Sequence, residues 1–190
     1  MGNREDLLAG ARKCILERGY ANTTARDIAT AAGVSLAAIG YHFGSKDRLL
    51  TEALTDAVGS AMGDGLEAII EDCGAGKSIA DAFAPTWEQA GALFADNTEA
   101  LLASMENLLR AYRSPESREY MAEAVEHAAT DIDAVIRRTH PELGEPESHA
   151  VATFYFTLLN GLAVLWITNP DGGLPTGDQL AAALRVLTGR

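Results

Sequence analysis

Apolar residues recur along the first fifty positions in short helical stripes separated by glycine. Leu7, Leu8, Ala11, Ile15 and Leu16 fall three and four apart, which predicts a helix from about Arg4 to Arg18, stopped by Gly19. Thr24, followed three residues later by Asp27, has nearly the form of a capping box and opens a short helix bearing Ile28, Ala29 and Ala32. Gly33 ends that helix and Val34 points into the core the helices share. Ser35 is the natural N-cap of a third short helix, LAAIGYHF, and Ser45-Lys46-Asp47 opens a fourth, about Lys46 to Met62. Two short helices joined by a tight turn, behind a longer supporting helix, make a helix-turn-helix. A generic bundle has no need of a helix as brief as Ala25 to Ala32 cut off by Gly-Val-Ser.

The remainder predicts further helices over about Gly76 to Phe94, Asn97 to Tyr112, Pro115 to Thr139, Glu147 to Thr168 and Thr176 to Thr188. Breaks fall at Asn97-Thr98, Ser114-Pro115, His140-Pro141 and the run from Asn169 to Gly173. No strand pattern is convincing. The fold class is therefore all-α: a three-helix head over residues 1–48, followed by a larger helical domain over residues 49–190.

Composition narrows the function. With 47% hydrophobic and 22% charged residues, the 190-residue chain is a folded protein rather than a disordered one. Its net charge is -12, an unfavourable balance for nucleic acid, but the charge is unevenly placed. The first fifty residues carry seven basic and five acidic groups, a net +2, and the rest carries -14. A nucleic-acid contact is thus licensed for the head and disfavoured elsewhere. Cys14 and Cys73 provide neither a metal spacing nor a disulfide framework, and a reducing compartment is expected. The most apolar run, Tyr155 to Ile167, is shorter than the roughly 20 residues a bilayer demands. The N-terminus lacks signal-peptide order, and its Met-Gly start is weak evidence for acylation. A cytoplasmic protein without a membrane partner is expected.

The stretch ILERGYANTTARDIATAAGVSLAAIGYHFGSKDRLLTEAL, Ile15 to Leu54, resembles the DNA-binding domain of the TetR family of bacterial transcriptional regulators. Gly19-Tyr20, Thr23-Thr24, Ile28-Ala29, Ala32-Gly33-Val34-Ser35, His42-Phe43, Ser45-Lys46 and Leu49 match that family's pattern over some forty residues. Beyond them the resemblance is one of length and helical character. One departure lies inside it: Gly40 stands where the family commonly has an aromatic, and the aromatic follows at Tyr41. The resemblance implies an all-helical homodimer with a ligand cavity in its larger domain, and repression released by a small molecule.

A recognition helix enters the major groove by its N-terminal part. Here Ser35, Leu36, Ala37, Ala38 and Gly40 would meet the bases, and none offers the fork that discriminates guanine or adenine by paired hydrogen bonds. Direct readout then falls to methyl contacts from Leu36 and Ala37 to thymine, with Arg26 reaching a base or phosphate and DNA shape supplying much of the rest. Leu36 has the alternative of packing internally. Phosphate contacts are expected from Thr24 with the N-terminus of the second helix, and from Tyr41, His42 and Lys46. Tyr41 and His42 each have an alternative place in the small core; Lys46 rests on the resemblance.

Two such heads would engage half-sites of a palindromic or pseudo-palindromic double-stranded operator. The dimer surface is expected from Phe154, Leu158, Gly161, Leu162 and Leu165 of the penultimate helix, with Leu180, Leu184 and Leu187 of the last. An effector cavity of unknown ligand is expected among Phe83, Trp87, Met105, Leu109, Tyr112, Tyr120 and His127, which combine apolar surface with polar handles. The acidic excess leans toward a neutral or cationic ligand. His42, His127, His140 and His149 lie in unrelated contexts, so no catalytic constellation, cofactor or metal site is expected and the chain is not read as an enzyme. The alternative reading is a ligand-sensing or assembly protein whose helix-turn-helix has lost its DNA affinity.

Overall fold

The structure, a computed structural model, describes residues 3–170 and 172–189, excepting the side chains of Leu16, Arg110 and Glu116. Leu16 of the first apolar stripe, the Met-Gly start and Asp171 of the last break therefore lie outside what is described. Helices account for the architecture, and no strand occurs among the described residues. The chain divides into two compact units.

The first unit comprises the chain up to Gly59 together with Glu99–Ala124. In it α1 (Asn3–Arg18) packs across α2 (Ala25–Ala32) and α4 (Lys46–Val58), and α3 (Ala37–Phe43) rests on α4. Leu7, Leu8, Ala11, Ile28, Ile39, Phe43, Leu49 and Leu50 are buried at the centre, and Val34 packs against them as its place after Gly33 predicts. Gly10 explains why α1 and α2 approach so closely: a Cβ there would lie 3.0 Å from both the Ala32 nitrogen and the Ile28 carbonyl oxygen. Two more segments join this unit, α8 (Thr98–Ala111) from Glu99 onward and the first part of α9 (Pro115–Thr139). They attach to α4 through polar contacts. Thr51 Oγ1 donates to Asn107 Oδ1 at 3.1 Å, both residues being buried, and the Tyr120 hydroxyl donates to Asp56 Oδ1 at 2.8 Å.

The fourth helix is shorter than its expected end at Met62. After Val58 the chain makes a π-helical turn, Gly59–Gly63, and then an unanticipated helix, α5 (Asp64–Gly74). Two glycines of α5 serve close packing. A Cβ at Gly65 would overlap Leu93 Cδ1, and one at Gly74 would press on Thr139 and His140.

The second unit comprises Ser60–Thr98 and the chain from Val125 onward. The expected helix from Gly76 to Phe94 is two helices, α6 (Ile79–Glu88) and α7 (Ala90–Asp96), which meet at Gln89. Pro85 inside α6 removes one intrahelical donor upstream of that junction. α10 (Glu145–Thr168) begins two residues before its expected start. Pro146 is tolerated in the first turn, and the Gly144 N–H donates to Glu147 Oε2 at 2.9 Å. α11 (Gly177–Thr188) is capped by Thr176 with Gln179.

By length and composition α10 could cross a membrane, with a mean hydropathy of 1.8 over an 18-residue window, a length the run from Tyr155 to Ile167 does not convey. Only 22% of that window is buried. One side, with Ala152, Tyr155, Leu159, Leu162 and Ala163, is core of the second unit; the other, with Phe154, Gly161, Val164 and Leu165, is exposed. Leu162, expected on a dimer face, is instead 2% exposed, because its spacing from Tyr155 and Leu159 turns it inward.

Candidate nucleic-acid interface

The head presents α3 with one side fixed and one side open. Ala38, Ile39 and Phe43 bury the inner side, while Ser35, Leu36, Ala37, Gly40 and Tyr41 are exposed, Tyr41 at 86%. The alternative of an internal Leu36 is not the arrangement found, since that side chain is 51% exposed. Tyr41 likewise stands outside the core, with its ring edge-on to His42, which is half-buried, at 4.9 Å. Ser35 caps differently from expectation. Leu36 already has helical backbone angles and no side-chain cap bond, and the Ser35 carbonyl accepts from the Ala38 N–H at 3.0 Å. Gly33 adopts the left-handed conformation, φ 67°, that the tight turn needs.

Gly40 differs in kind from the other functional glycines. Its φ is not positive, and a Cβ there would meet nothing within 4 Å. Packing does not require glycine at this position, so its absence of a side chain belongs to the exposed surface.

The start of α2 approaches Lys46, three residues past the end of α3. The Thr24 hydroxyl donates to Asp27 Oδ2 at 2.6 Å and accepts from the Asp27 N–H at 3.2 Å, while the Thr24 N–H donates to the same carboxylate. The hydroxyl is therefore engaged in capping, and the group left facing outward is the helix N-terminus with its unfilled N–H donors. These bonds from Thr24, first the hydroxyl and then the N–H, hold the Asp27 carboxyl below its usual pKa, with Arg18 adding to the effect. Lys46 donates from Nζ to the Thr23 carbonyl at 3.2 Å, which places its ammonium next to the start of α2.

Much of the head's positive charge is neutralised internally. Arg18 pairs with Asp27 at 2.8 Å, Lys13 with Glu17 at 4.0 Å, and Arg4 and Arg48 both pair with Glu52. Arg12, Arg26 and Lys46 make no ion pair among the described residues. Sequence reading picked out Arg26 and Lys46 and passed over Arg12, which no motif marks.

Residues 7–53 match the family model described as bacterial regulatory proteins, tetR family. The head is a TetR-family helix-turn-helix. The HTH-type transcriptional repressor AcnR of Corynebacterium efficiens is 43% identical over 49 residues, covering 26% of this chain and 26% of that protein. The match thus spans about a quarter of the curated relative's length. The curated relatives to which the TetR-type head is similar are transcriptional repressors. Over almost the whole chain the fold is that of solved regulators. It is similar to the multidrug binding protein EbrR complexed with imidazole, with TM-score 0.67, 20% identity and coverage of 98% of this chain and 95% of that one. A transcriptional regulator from Rhodococcus sp. Rha1 is 26% identical, with TM-score 0.54 and coverage of 98% and 94%.

The residues expected around an effector are distributed over both units. Met105, Leu109, Tyr112 and Tyr120 belong to the first; Leu109 and Tyr112 are 71% and 74% exposed, and Tyr120 lies under the Arg48 guanidinium at 4.8 Å. Phe83 and Trp87 are buried in the second unit with ring centroids 6.3 Å apart, and His127 is exposed on α9.

Proposed function

We propose that the chain is a sequence-specific, cytoplasmic DNA-binding transcriptional regulator, acting as a repressor that a small-molecule effector releases. The observation that carries this reading is the open side of α3, Leu36, Ala37, Gly40 and Tyr41, beside the Lys46 ammonium and the start of α2. Small residues let the helix lie deep against base edges, with Leu36 and Ala37 on thymine methyls. Arg26, Tyr41, His42, Lys46 and the helix end at Thr24 hold the flanking phosphates and fix the register. With few free cations in the head, the salt dependence of binding is modest for each protomer.

In this reading the chain acts as a homodimer, because one short helix reads too few base pairs. The outer apolar side of α10, with Phe154, Gly161 and Leu165 exposed and Leu158 half-buried, meets its copy together with Leu187 and Val186 of α11, each over 80% exposed. Leu180 and Leu184 are half-buried at the margin of that surface. Two reading helices then address successive major grooves, about 34 Å apart. Phe83 and Trp87 are the effector-facing candidates of the second unit, and Met105 and Tyr120 those of the first. An effector releases the operator only through its differential affinity for DNA-competent and DNA-incompetent dimers.

Fluorescence anisotropy with duplexes from the upstream region of the chain's own gene tests the proposal, against scrambled duplexes at several salt concentrations. A preferred site is expected, and Lys46→Ala should weaken all duplexes alike and lower the salt slope by about one unit. Equal affinity for every duplex would overturn sequence-specific regulation, and an unchanged slope would remove Lys46 from the phosphate contacts.

A further inference from the structure

The outside of α3 has a shape as well as a composition. Leu36 already has helical backbone angles, so Leu36, Gly40, Ala37 and Tyr41 follow one another around one face of the helix. Ala37 and Gly40 form a floor without bulk. The exposed Leu36 side chain rises on one side of that floor, and the still more exposed Tyr41 ring rises on the other. The space above the floor is open, since a Cβ on Gly40 would meet nothing within 4 Å. The face is a shallow apolar notch.

Most of what a base pair displays in the major groove is a donor or an acceptor. Thymine alone among the four ordinary bases adds an apolar group there, its C5-methyl. An apolar notch gains by covering such a methyl, and loses when it covers a polar atom left unpaired. The polar side chains at its margins do not restore the identity of the base. Ser35 and Tyr41 carry hydroxyls, which donate or accept as the partner requires, so neither separates the O4 acceptor of thymine from the N4 donor of cytosine. The Lys46 ammonium is suited to phosphate, which positions the helix without reading sequence. Thymine and 5-methylcytosine hold the same methyl on the same ring carbon. They differ in groups that this face does not distinguish.

We infer that the notch recognises the C5-methyl group itself rather than the base pair bearing it, so that cytosine methylation creates or strengthens sites for this chain. The inference rests on the reading that the head binds DNA through α3.

The test is fluorescence anisotropy of the full-length chain with one duplex from the upstream region of its own gene, made with either thymine or uracil. Each thymine-to-uracil exchange removes only the C5-methyl. Uracil throughout should weaken binding about tenfold or more, at about fourfold for one methyl covered in each of two half-sites. At the thymine most sensitive to uracil, a T·A to C·G exchange should cost the same factor as uracil, and 5-methylcytosine in that C·G pair should restore affinity to within about twofold of thymine. These ratios should hold at every salt concentration, because covering a methyl releases no phosphate counterions. Leu36→Ala, at an exposed position outside the core, should reduce the uracil penalty to about fourfold or less.

Equal binding of the thymine and uracil duplexes would overturn the inference. So would 5-methylcytosine that binds no better than cytosine at the sensitive position, or an undiminished uracil penalty in Leu36→Ala. Tight, site-preferring binding that ignores the methyl would sink this inference alone, whereas failure to prefer the thymine duplex over a scrambled one would sink the DNA-binding reading with it.

Discussion

Replacing Glu52 with alanine should be among the more damaging single changes in the first unit. Its side chain is 5% exposed on α4 and serves two guanidinium groups, Arg4 of α1 on Oε2 and Arg48 on Oε1 at 2.6 Å. Arg4 also lies over the Phe43 ring at the end of α3, and Arg48 over the Tyr120 ring of α9, so one carboxylate ties together four helices. Breaking a fully buried ion pair costs about 3–5 kcal/mol. Two features reduce that figure here. Arg4 is 50% exposed and rehydrates, so its share falls to the surface-pair range of under about 1 kcal/mol. Arg48, 20% exposed, keeps its contact with the Tyr120 ring. A net loss of about 2–3 kcal/mol follows, equivalent to roughly 5–10 °C in melting temperature for a chain of this size. Urea unfolding followed by circular dichroism measures it, with Glu52→Gln expected between wild type and alanine. A double-mutant cycle with Arg48→Ala should return a coupling of about 1–2 kcal/mol. A Glu52→Ala midpoint within about 0.5 kcal/mol of wild type would refute the reasoning.

Three further outcomes are expected. Gly40→Ala should stabilise the chain by about 0.5–1 kcal/mol, since the added methyl meets open space, while weakening operator binding by standing α3 off the groove; a melt with no gain contradicts the first half and unchanged anisotropy the second. Leu165→Glu and Leu187→Glu, at positions 51% and 81% exposed, should convert dimers to monomers in sedimentation velocity with little change in secondary structure; a persistent dimer, or a wild-type monomer at micromolar concentration, removes the interface. Because the Asp27 carboxyl is held low by Thr24 and Arg18, its contribution to stability is full above the usual carboxylate pKa and fades as pH falls through the lowered folded value. Asp27→Asn should flatten that acid limb in melts taken across pH, and superimposable limbs would exclude the effect.

The head was legible because its local chemistry is self-contained. Thr24, Asp27, Gly33 and Ser45 act within a few residues of themselves, as the observed caps show. Features decided by distant chain segments were not legible. Leu66, Ile70 and Cys73 of α5 are spaced as a buried stripe, yet the helices expected to end at Met62 and to begin at Gly76 leave no element there, and the role of Gly65 and Gly74 is set by Leu93, Thr139 and His140, far away in sequence. Leu162 looked equivalent to Leu158 and Leu165 on an almost uniformly apolar helix, where only the packing of α7 on α10 shows which side is inward. Of the Glu52 cluster only the Arg48–Glu52 pair, four residues apart on one helix, has a local spacing; Arg4 and Tyr120 lie far from it in sequence.

The bare outer side of α3 gives this head an unusual freedom. Ala37 and Gly40 support none of the core, so a larger or hydrogen-bonding side chain can be installed at either without repacking a neighbour. Target preference could then drift, or be engineered, one substitution at a time while foldability stays untouched. A reader with polar forks already in place would first have to give up old contacts before acquiring new ones.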